Sequence, residues 1–444
     1  MTEREENIYS SYFLYKKDLC ENCSECIKAC PTHAIRIRRK KNLRFLDKCI
    51  GCGECIRVCP TGAMTTASKG IEDLNKDKFN IAIVSPVIYS QFPDIMATDV
   101  LAGVEKIGFD LSVDLTHFLE LFQFATEEYI KRNKSNDEQT PYISPICPIV
   151  IRLITHKFPN LLKNVLPLER PVALFSAEIK ENISKEYKVA EEDIELWHIT
   201  PCPAKIISKK TQFLNEKKYI NKSIGVNDIY VELFHEISKI KKKNLDLYCS
   251  GKSNVLFSGR SFEWGLSGGE IAGINNDKSI AVSGLKDTIA YLEKIDLGLL
   301  KHIDYLELRI CPEGCIGGAL TAIDKYIAKS AIRRLVNIYG KGRRLSKEKI
   351  MKLYDDGYFF TTVDTSEIKD IYGVKQNEPL SLDQLMEIDE LVGIIKGRNC
   401  GVCGAPDCKT FAEDIVRGKA ELEDCLVPNL KQKVDKKKAE NKTE

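Results

Sequence analysis

At 444 residues the chain is too long for one hydrophobic core and predicts two to four domains. A formal net charge of +2 leaves no global field to recruit nucleic acid or an anionic membrane. No stretch is apolar enough to span a bilayer and the charged N-terminus lacks a signal-peptide core, so the expectation is a cytoplasmic protein with no membrane and no nucleic-acid partner. Seventeen cysteines in such a chain point to clustered, metal-binding thiols rather than to disulfides.

The first cluster opens the chain. Cys20, Cys23, Cys26 and Cys30-Pro31 form C-x2-C-x2-C-x3-C-P, and Cys49, Cys52, Cys55 and Cys59-Pro60 repeat it after a short basic connector. This is the bacterial two-cluster ferredoxin pattern, in which the fourth cysteine of each run serves the other run's cluster. One cubane is therefore expected on Cys20, Cys23, Cys26 and Cys59, the other on Cys49, Cys52, Cys55 and Cys30. Zinc is the alternative that thiolates always allow, and the paired triplets with terminal prolines count against it. The strands here, such as 34–38, are too short to fold alone, so metal binding must contribute much of the stability.

A polar boundary at 68–78 is followed by a change of texture. Residues 80–84 read as a buried parallel strand and 95–107 as an amphipathic helix. Further strands are expected at 172–176, 194–199, 279–283 and 305–310, with helices at 115–132, 286–298 and 319–339 between them. That alternation argues for an α/β domain with parallel sheets, whose sites form beyond the carboxyl ends of strands.

Isolated cysteines sit where this rule would place a site. Cys202 follows one expected strand, and Cys311 with Cys315 follows another, in Glu307-Leu308-Arg309-Ile310-Cys311-Pro312-Glu313-Gly314-Cys315-Ile316-Gly317-Gly318. Cys147 lies in the proline-bounded loop Ser144-Pro145-Ile146-Cys147-Pro148. Each alone reads as a small buried hydrophobe, but as a set they make four thiols able to share one crevice, on backbone that glycines leave open to close approach.

Pro-Ile-Cys-Pro around Cys147, Thr200-Pro201-Cys202-Pro203-Ala204-Lys205 and the Cys311/Cys315 loop resemble, in the same order, the three signature loops of [FeFe]-hydrogenases. The resemblance covers roughly residues 1–340. It implies an α/β, parallel-sheet H-cluster domain with an N-terminal α+β ferredoxin-like domain and a small helical C-terminal Fe–S module. It also implies that Cys147, Cys202, Cys311 and Cys315 hold a cubane, with Cys315 bridging to a di-iron subsite bearing CO and cyanide. Lys205 matches the lysine that hydrogen-bonds a cyanide, a charge-assisted contact to an anionic ligand. Cys315 and Lys205 are thus the implied catalytic pair. The substrates implied are H2 and protons, and the partners are a redox protein such as ferredoxin and the hydrogenase maturation factors.

The departures from the family pattern are specific. Ile146 stands where active members carry a proton-relay cysteine, Thr200 and Arg309 replace pocket methionines, Val87 stands for a serine donor, and Glu313 replaces a glycine. The relay glutamates are matched loosely by Glu120, Glu127 and Glu128, which also read as solvated helix-face charges. A positioned proton donor contributes about 10²- to 10⁴-fold in rate. Its loss implies a slow, hydrogen-responsive member, similar to the sensory branch and signalling through a separate protein.

Residues 341–395 read as a charged helical connector. Cys400, Cys403, Cys408 and Cys425 then form C-x2-C-x4-C-x16-C, with a helix expected over 409–422, resembling a small appended [4Fe–4S] module for which zinc is the alternative. Cys249 reads as buried structure, and the glycine-rich loops at 257–260 and 267–269 resemble cluster-covering loops. The expected organisation is a two-cluster ferredoxin domain at 1–75, an H-cluster domain at 76–340, the connector, an Fe–S module at 396–428 and a charged tail at 429–444. Four [4Fe–4S] clusters and one di-iron subsite are the expected cofactors. Two other readings stand beside the hydrogenase: an iron–sulfur assembly factor carrying only cubanes, and a pure electron-transfer protein with a plain cubane at the central site.

Overall fold

The computed structural model describes residues 13–425, except 39–41, 47, 68–69, 134–139, 209–218, 243–256, 343–345, 362–379 and 396. Cys249 and the tail from 426 onward lie outside the described residues. The chain divides into two units, one made of residues 1–67 with 374–444 and the other of 68–373.

The first unit joins the two ends of the sequence. Its N-terminal part pairs β1 (Phe13–Tyr15) antiparallel with β4 (Met64–Thr66), and β2 (Ile35–Arg38) antiparallel with β3 (Asn42–Phe45). Two single-turn helices, Glu25–Lys28 and Glu54–Arg57, each carry the third cysteine of a run. Both turns start from a left-handed residue, Ser24 and Gly53, which lets the chain reverse tightly around the preceding thiols. The C-terminal part is a helix Leu382–Ile395 packed on a helix Cys408–Val416 through Ile388, Leu391, Ile395 and Phe411. Asp407 caps the second helix, its side chain accepting from the Thr410 amide. That helix is shorter than the span expected at 409–422. Gly418, at a φ of +66°, follows it, and a left-handed glycine is the usual way to end a helix.

The second unit is built on two parallel sheets. The larger has the order β6-β5-β8-β9, with β5 at Phe79–Val84, β6 at Leu111–Asp114, β8 at Ile194–Thr200 and β9 at Lys222–Gly225. Register is set by Ile81 opposite both Leu111 and Leu196. The smaller sheet has the order β10-β11-β7, with β7 at Tyr142–Ile143, β10 at Ser279–Ser283 and β11 at Tyr305–Arg309. Successive residues of β5 serve opposite cores: Ile81 and Ile83 pack with Phe118, Phe122 and Phe175, while Ala82 and Val84 pack with Val100, Trp197 and Ile229. A central parallel strand buried on both faces reads as an unbroken apolar run, as β5 does.

One expected strand is a helix. Residues 172–176 lie in the helix Pro171–Tyr187, and its apolar side chains Val172, Phe175, Ile179 and Ile183 recur at helical spacing against the core. A five-residue apolar run cannot separate the two forms; the longer period and Pro171 at the first helical position decide for helix. The helix expected at 319–339 begins only at Lys325, capped by the Asp324 side chain. The connector expected at 341–395 does not stand apart. Its first helix, Lys347–Asp355, sends Ile350 and Tyr354 into the core that holds β5, and its second belongs with the C-terminal module.

Candidate functional site

Three strand ends bring the central cysteines together. Cys147 follows β7, Cys202 follows β8 and Cys311 with Cys315 follow β11, so the carboxyl ends of strands from both sheets meet at one place. A cavity of about 440 Å³ there is lined by all four thiols together with Lys205 and Arg309. A second cavity of about 490 Å³ adjoins it, sharing Ser85, Ile146, Lys205, Arg309 and Cys315 and adding His198 and Trp264 among others. Cys315 therefore stands in the wall between the two.

The Cys311/Cys315 loop is held by backbone contacts that need its glycines. Gly314 has a φ of +91°, and a Cβ there would lie 2.5 Å from the Ser267 amide nitrogen. A Cβ on Gly318 would lie 2.5 Å from the Pro201 carbonyl oxygen, in the loop that carries Cys202. Amide donors close the same seams, from Leu320 to Pro201 at 3.1 Å and from Ile316 to Gly265 at 3.2 Å. Glu313 takes a left-handed conformation, at a φ of 62°, and its carboxylate is paired with Lys329. A side chain there costs about 1–2 kcal/mol of backbone strain, which the ion pair partly offsets.

Charge is arranged around Cys315 with little water. Arg309 is 2% exposed; its guanidinium reaches the Cys315 sulfur at 3.5 Å, Glu270 at 2.8 Å and Glu307 at 3.2 Å. Glu307 accepts three backbone amides, from Gly268, Glu270 and Ile271. Glu270 accepts from Ser144 at 3.0 Å and from the Tyr305 hydroxyl. Burial raises the Glu270 carboxyl to about 7, with Arg309 opposing the shift and Glu307 adding to it. Burial alone would lower the Arg309 pKa, but Cys315, Glu307 and Glu270 reverse it, so the cation is permanent. His198 is held well below its ordinary value by burial and by the cations Lys205 and Arg170, and so faces the second cavity neutral.

The cysteine sets test whether iron–sulfur clusters suit these residues. Burial and the Cys147 thiol push Cys202 up to about 11, so its thiolate needs positive charge nearby. Among the described residues no three Cys, His, Asp or Glu side chains stand close enough to share a single metal ion. In the N-terminal module, a cavity of about 280 Å³ is lined by Cys30, Cys49, Cys52 and Cys55. Cys26 is pushed up to about 12 by burial and then by its neighbours Cys23, Cys59 and Cys20. Cys30 therefore falls in with the second run and Cys59 with the first. The C-terminal thiols Cys403, Cys408 and Cys425 pack on one small core, and Cys400 is exposed beside them. A four-thiol donor set around a cavity fits a cubane at the central site and at Cys30, Cys49, Cys52 and Cys55.

The remaining residues singled out in the sequence are placed as follows. Val87 and Ser85 both face the second cavity, so a hydroxyl is present there from a position that sequence reading passed over. Thr200 is fully buried, and its hydroxyl has no hydrogen-bond partner among the described residues. Glu120 is buried one residue beyond Leu119 of the cavity wall. Glu127 accepts the Asn275 amide and Glu128 pairs with Arg132, and neither lines the thiol cavities. Glu270 was also missed; its only sequence signal is an acid directly after the Gly268-Gly269 pair.

Comparison with known families agrees with this arrangement. Residues 78–262 match the model for the iron only hydrogenase large subunit, C-terminal domain. Residues 13–60 match a 4Fe-4S dicluster domain, and 397–427 match a model described as a candidate Fe-S cluster. The chain thus combines a segment similar to the [FeFe]-hydrogenase large subunit with segments similar to iron–sulfur cluster domains. Among solved structures, two variants of the [FeFe]-hydrogenase HydA1 from Chlamydomonas reinhardtii are each 16% identical, with a TM-score of 0.46, covering 67% of this chain and 95% and 94% of theirs. The structure of HydA(deltaEFG), described as showing stepwise H-cluster assembly, is also 16% identical, with a TM-score of 0.45 over 67% of this chain and 95% of that one. The likeness to the hydrogenase large subunit rests on the sequence match over 78–262, and the Cys311/Cys315 loop lies beyond that match.

Two outcomes follow from the geometry. Gly318→Ala forces a methyl against the Pro201 and Cys315 carbonyls, and should destabilise the protein by about 1–3 kcal/mol in urea unfolding while lowering iron retention at the central site. The Glu270 carboxyl should show a protonated C=O infrared band below about pH 7 that disappears as pH rises through that value and is absent in Glu270→Gln.

Proposed function

We propose that this iron–sulfur protein carries an H-cluster and binds H2, oxidising it slowly and reversibly (H2 giving 2 H+ and 2 e−), as a hydrogen or redox sensor. In this reading Cys147, Cys202, Cys311 and Cys315 would hold a [4Fe–4S] cubane, and Cys315, in the wall between the cavities, would also serve a di-iron subsite with CO and cyanide ligands. Two further cubanes occupy the N-terminal sets, and a fourth sits on Cys400, Cys403, Cys408 and Cys425. The observation that carries the reading is the adjoining pair of cavities, one lined by four thiols and the other by Lys205, His198 and Arg309, with Cys315 in their shared wall.

When bound, the di-iron subsite supplies the hydrogen-splitting chemistry. The chain's own residues shape what surrounds it. Lys205 presents an ammonium to both cavities, suited to an anionic cyanide. Ile146, 3% exposed, seals the boundary where a relay thiol would pass a proton, and an aliphatic side chain passes none. Arg309 donates to the Cys315 sulfur, which draws electron density from that thiolate and favours a higher reduction potential. Proton movement must then use slower groups, of which Glu270, hydrogen-bonded to Arg309, Tyr305 and Ser144, is one that holds a proton near neutral pH. Slow turnover with an intact binding site suits detection better than bulk hydrogen metabolism.

The implied partners are maturation factors to install the di-iron subsite, a ferredoxin-like redox carrier and a separate signalling protein. No helix of the described residues is long and apolar enough to cross a membrane. Sixteen cysteines assigned to clusters suit a reducing compartment, so the cytoplasm is the proposed location.

Infrared spectroscopy of the protein after maturation tests the proposal. CO and cyanide stretches are expected, and their absence from protein with a full central cubane would replace this reading with a cubane-only protein, an assembly factor or electron carrier. Ile146→Cys should raise the hydrogen-evolution rate by roughly tenfold or more, towards the contribution of a positioned proton donor. An unchanged rate in equally matured protein would show that the missing thiol is not what slows turnover.

A further inference from the structure

The C-terminal cysteine module is built against the N-terminal dicluster module, although more than three hundred residues separate them in sequence. The contact falls on the cysteine loops themselves. The Ser24 hydroxyl, one residue after Cys23, donates to the Gly401 carbonyl, one residue after Cys400, at 3.2 Å. A Cβ on Gly401 would lie 3.3 Å from the Ser24 Cβ, so the two loops touch. A second seam runs beside Cys403. The Ile37 amide donates to the Gly404 carbonyl at 3.3 Å, and a Cβ on Gly404 would lie 1.8 Å from the Ile37 carbonyl oxygen, an approach that only glycine permits.

Beneath these loops Arg36 and Asp414, each 5% exposed, form a two-pronged ion pair with distances of 2.6 and 3.2 Å. Arg36 also donates to the His33 and Ile35 carbonyls. Burying both charges is costly unless the geometry is fixed and the remaining donors are used, so this pair specifies one docked arrangement. Cys23 and Cys400 are each one residue from the touching pair. Adding the bonds and the contact places their Cα atoms within about 14 Å of each other.

We propose that the C-terminal module holds a third cluster in direct electronic contact with the Cys20/Cys23/Cys26/Cys59 cluster, making the first unit a single three-cluster relay. One electron passes between them: the cluster on Cys20, Cys23, Cys26 and Cys59 rises from its 1+ to its 2+ state as the cluster on Cys400, Cys403, Cys408 and Cys425 falls from 2+ to 1+. The Ser24–Gly401 hydrogen bond gives a route of two residues' backbone and one hydrogen bond between Cys23 and Cys400. The inference rests on the proposed filling of these cysteine sets and not on the di-iron subsite.

The test uses the full chain, reconstituted anaerobically with iron and sulfide and titrated with dithionite under electron paramagnetic resonance. Reduction of the third cluster should broaden and split the signal of a reduced N-terminal cluster. In Cys400→Ala/Cys408→Ala, with four fewer irons per chain by analysis, the part of the broadening due to the third cluster should vanish, leaving only the mutual splitting of the two N-terminal clusters. N-terminal signals unchanged between the two proteins would overturn the proposal. Since the double variant risks misfolding its module, the unmodified chain gives a second reading: a third signal growing in with no change in the others would overturn it equally. An unmodified chain that binds only eight irons outside the central site would instead show that the C-terminal set is not filled.

Discussion

Thiolates that share a buried cavity repel one another and lose solvation, so the four central cysteines can ionise together only against positive charge. Arg309 and Lys205 supply part of that charge from the cavity walls. Arg309 brings its own burial cost, which Glu307 and Glu270 answer, and Glu307 is in turn fixed by three amides of the 268–271 loop. The same loop region donates and accepts backbone hydrogen bonds along the Cys311/Cys315 loop. The cysteine loop, the guanidinium and the glycine-rich loop therefore form one interdependent body, in which the guanidinium at Cys315 is held by a carboxylate thirty-nine residues from Arg309 in sequence.

The outer cysteine sets meet the same demand by gentler means. Backbone amides point at sulfur there, from Ala34 to Cys30 at 3.2 Å, from Asn22 to Cys20 at 3.4 Å and from Asn399 to Cys408 at 3.3 Å. An amide dipole stabilises a thiolate without a full charge, whereas the guanidinium at Cys315 is a full charge in a dry site. Hydrogen bonds to cluster sulfurs raise reduction potentials, and a charged donor does so more strongly. On the proposed reading, the central site is biased towards holding electrons while the outer sets are tuned by ordinary backbone.

The parts legible in the sequence were those that a local pattern carries. The ferredoxin spacing foretold the grouping of Cys30 with Cys49, Cys52 and Cys55 around one cavity, because ligand spacing is itself the constraint. Buried strands such as β5 and β8 showed as apolar runs, and the rule that sites form beyond strand ends located Cys202 and Cys311. The same apolar texture misread 172–176, where helical spacing emerges only when Ile179 and Ile183 are included. What stayed hidden was long-range pairing of charge. Nothing near Arg309 announces Glu270 as its partner, and nothing near Arg36 announces Asp414, since such pairs are fixed by tertiary packing alone.

That hidden layer changes the meaning of the substitutions. Seen alone, Arg309 for methionine is a loss of soft lining, and Ile146 for cysteine a loss of proton supply. With Glu270 and Glu307 buried around it, Arg309 is instead the centre of a completed network that a chance replacement would have left as an unpaired buried charge, at a cost of several kcal/mol. Glu313 follows the same logic on the loop's outer side, where Lys329 answers its charge. On the proposed reading, these matched charges are what keeps the altered loop compatible with a cluster, because each buried or strained charge has its counter-charge in place.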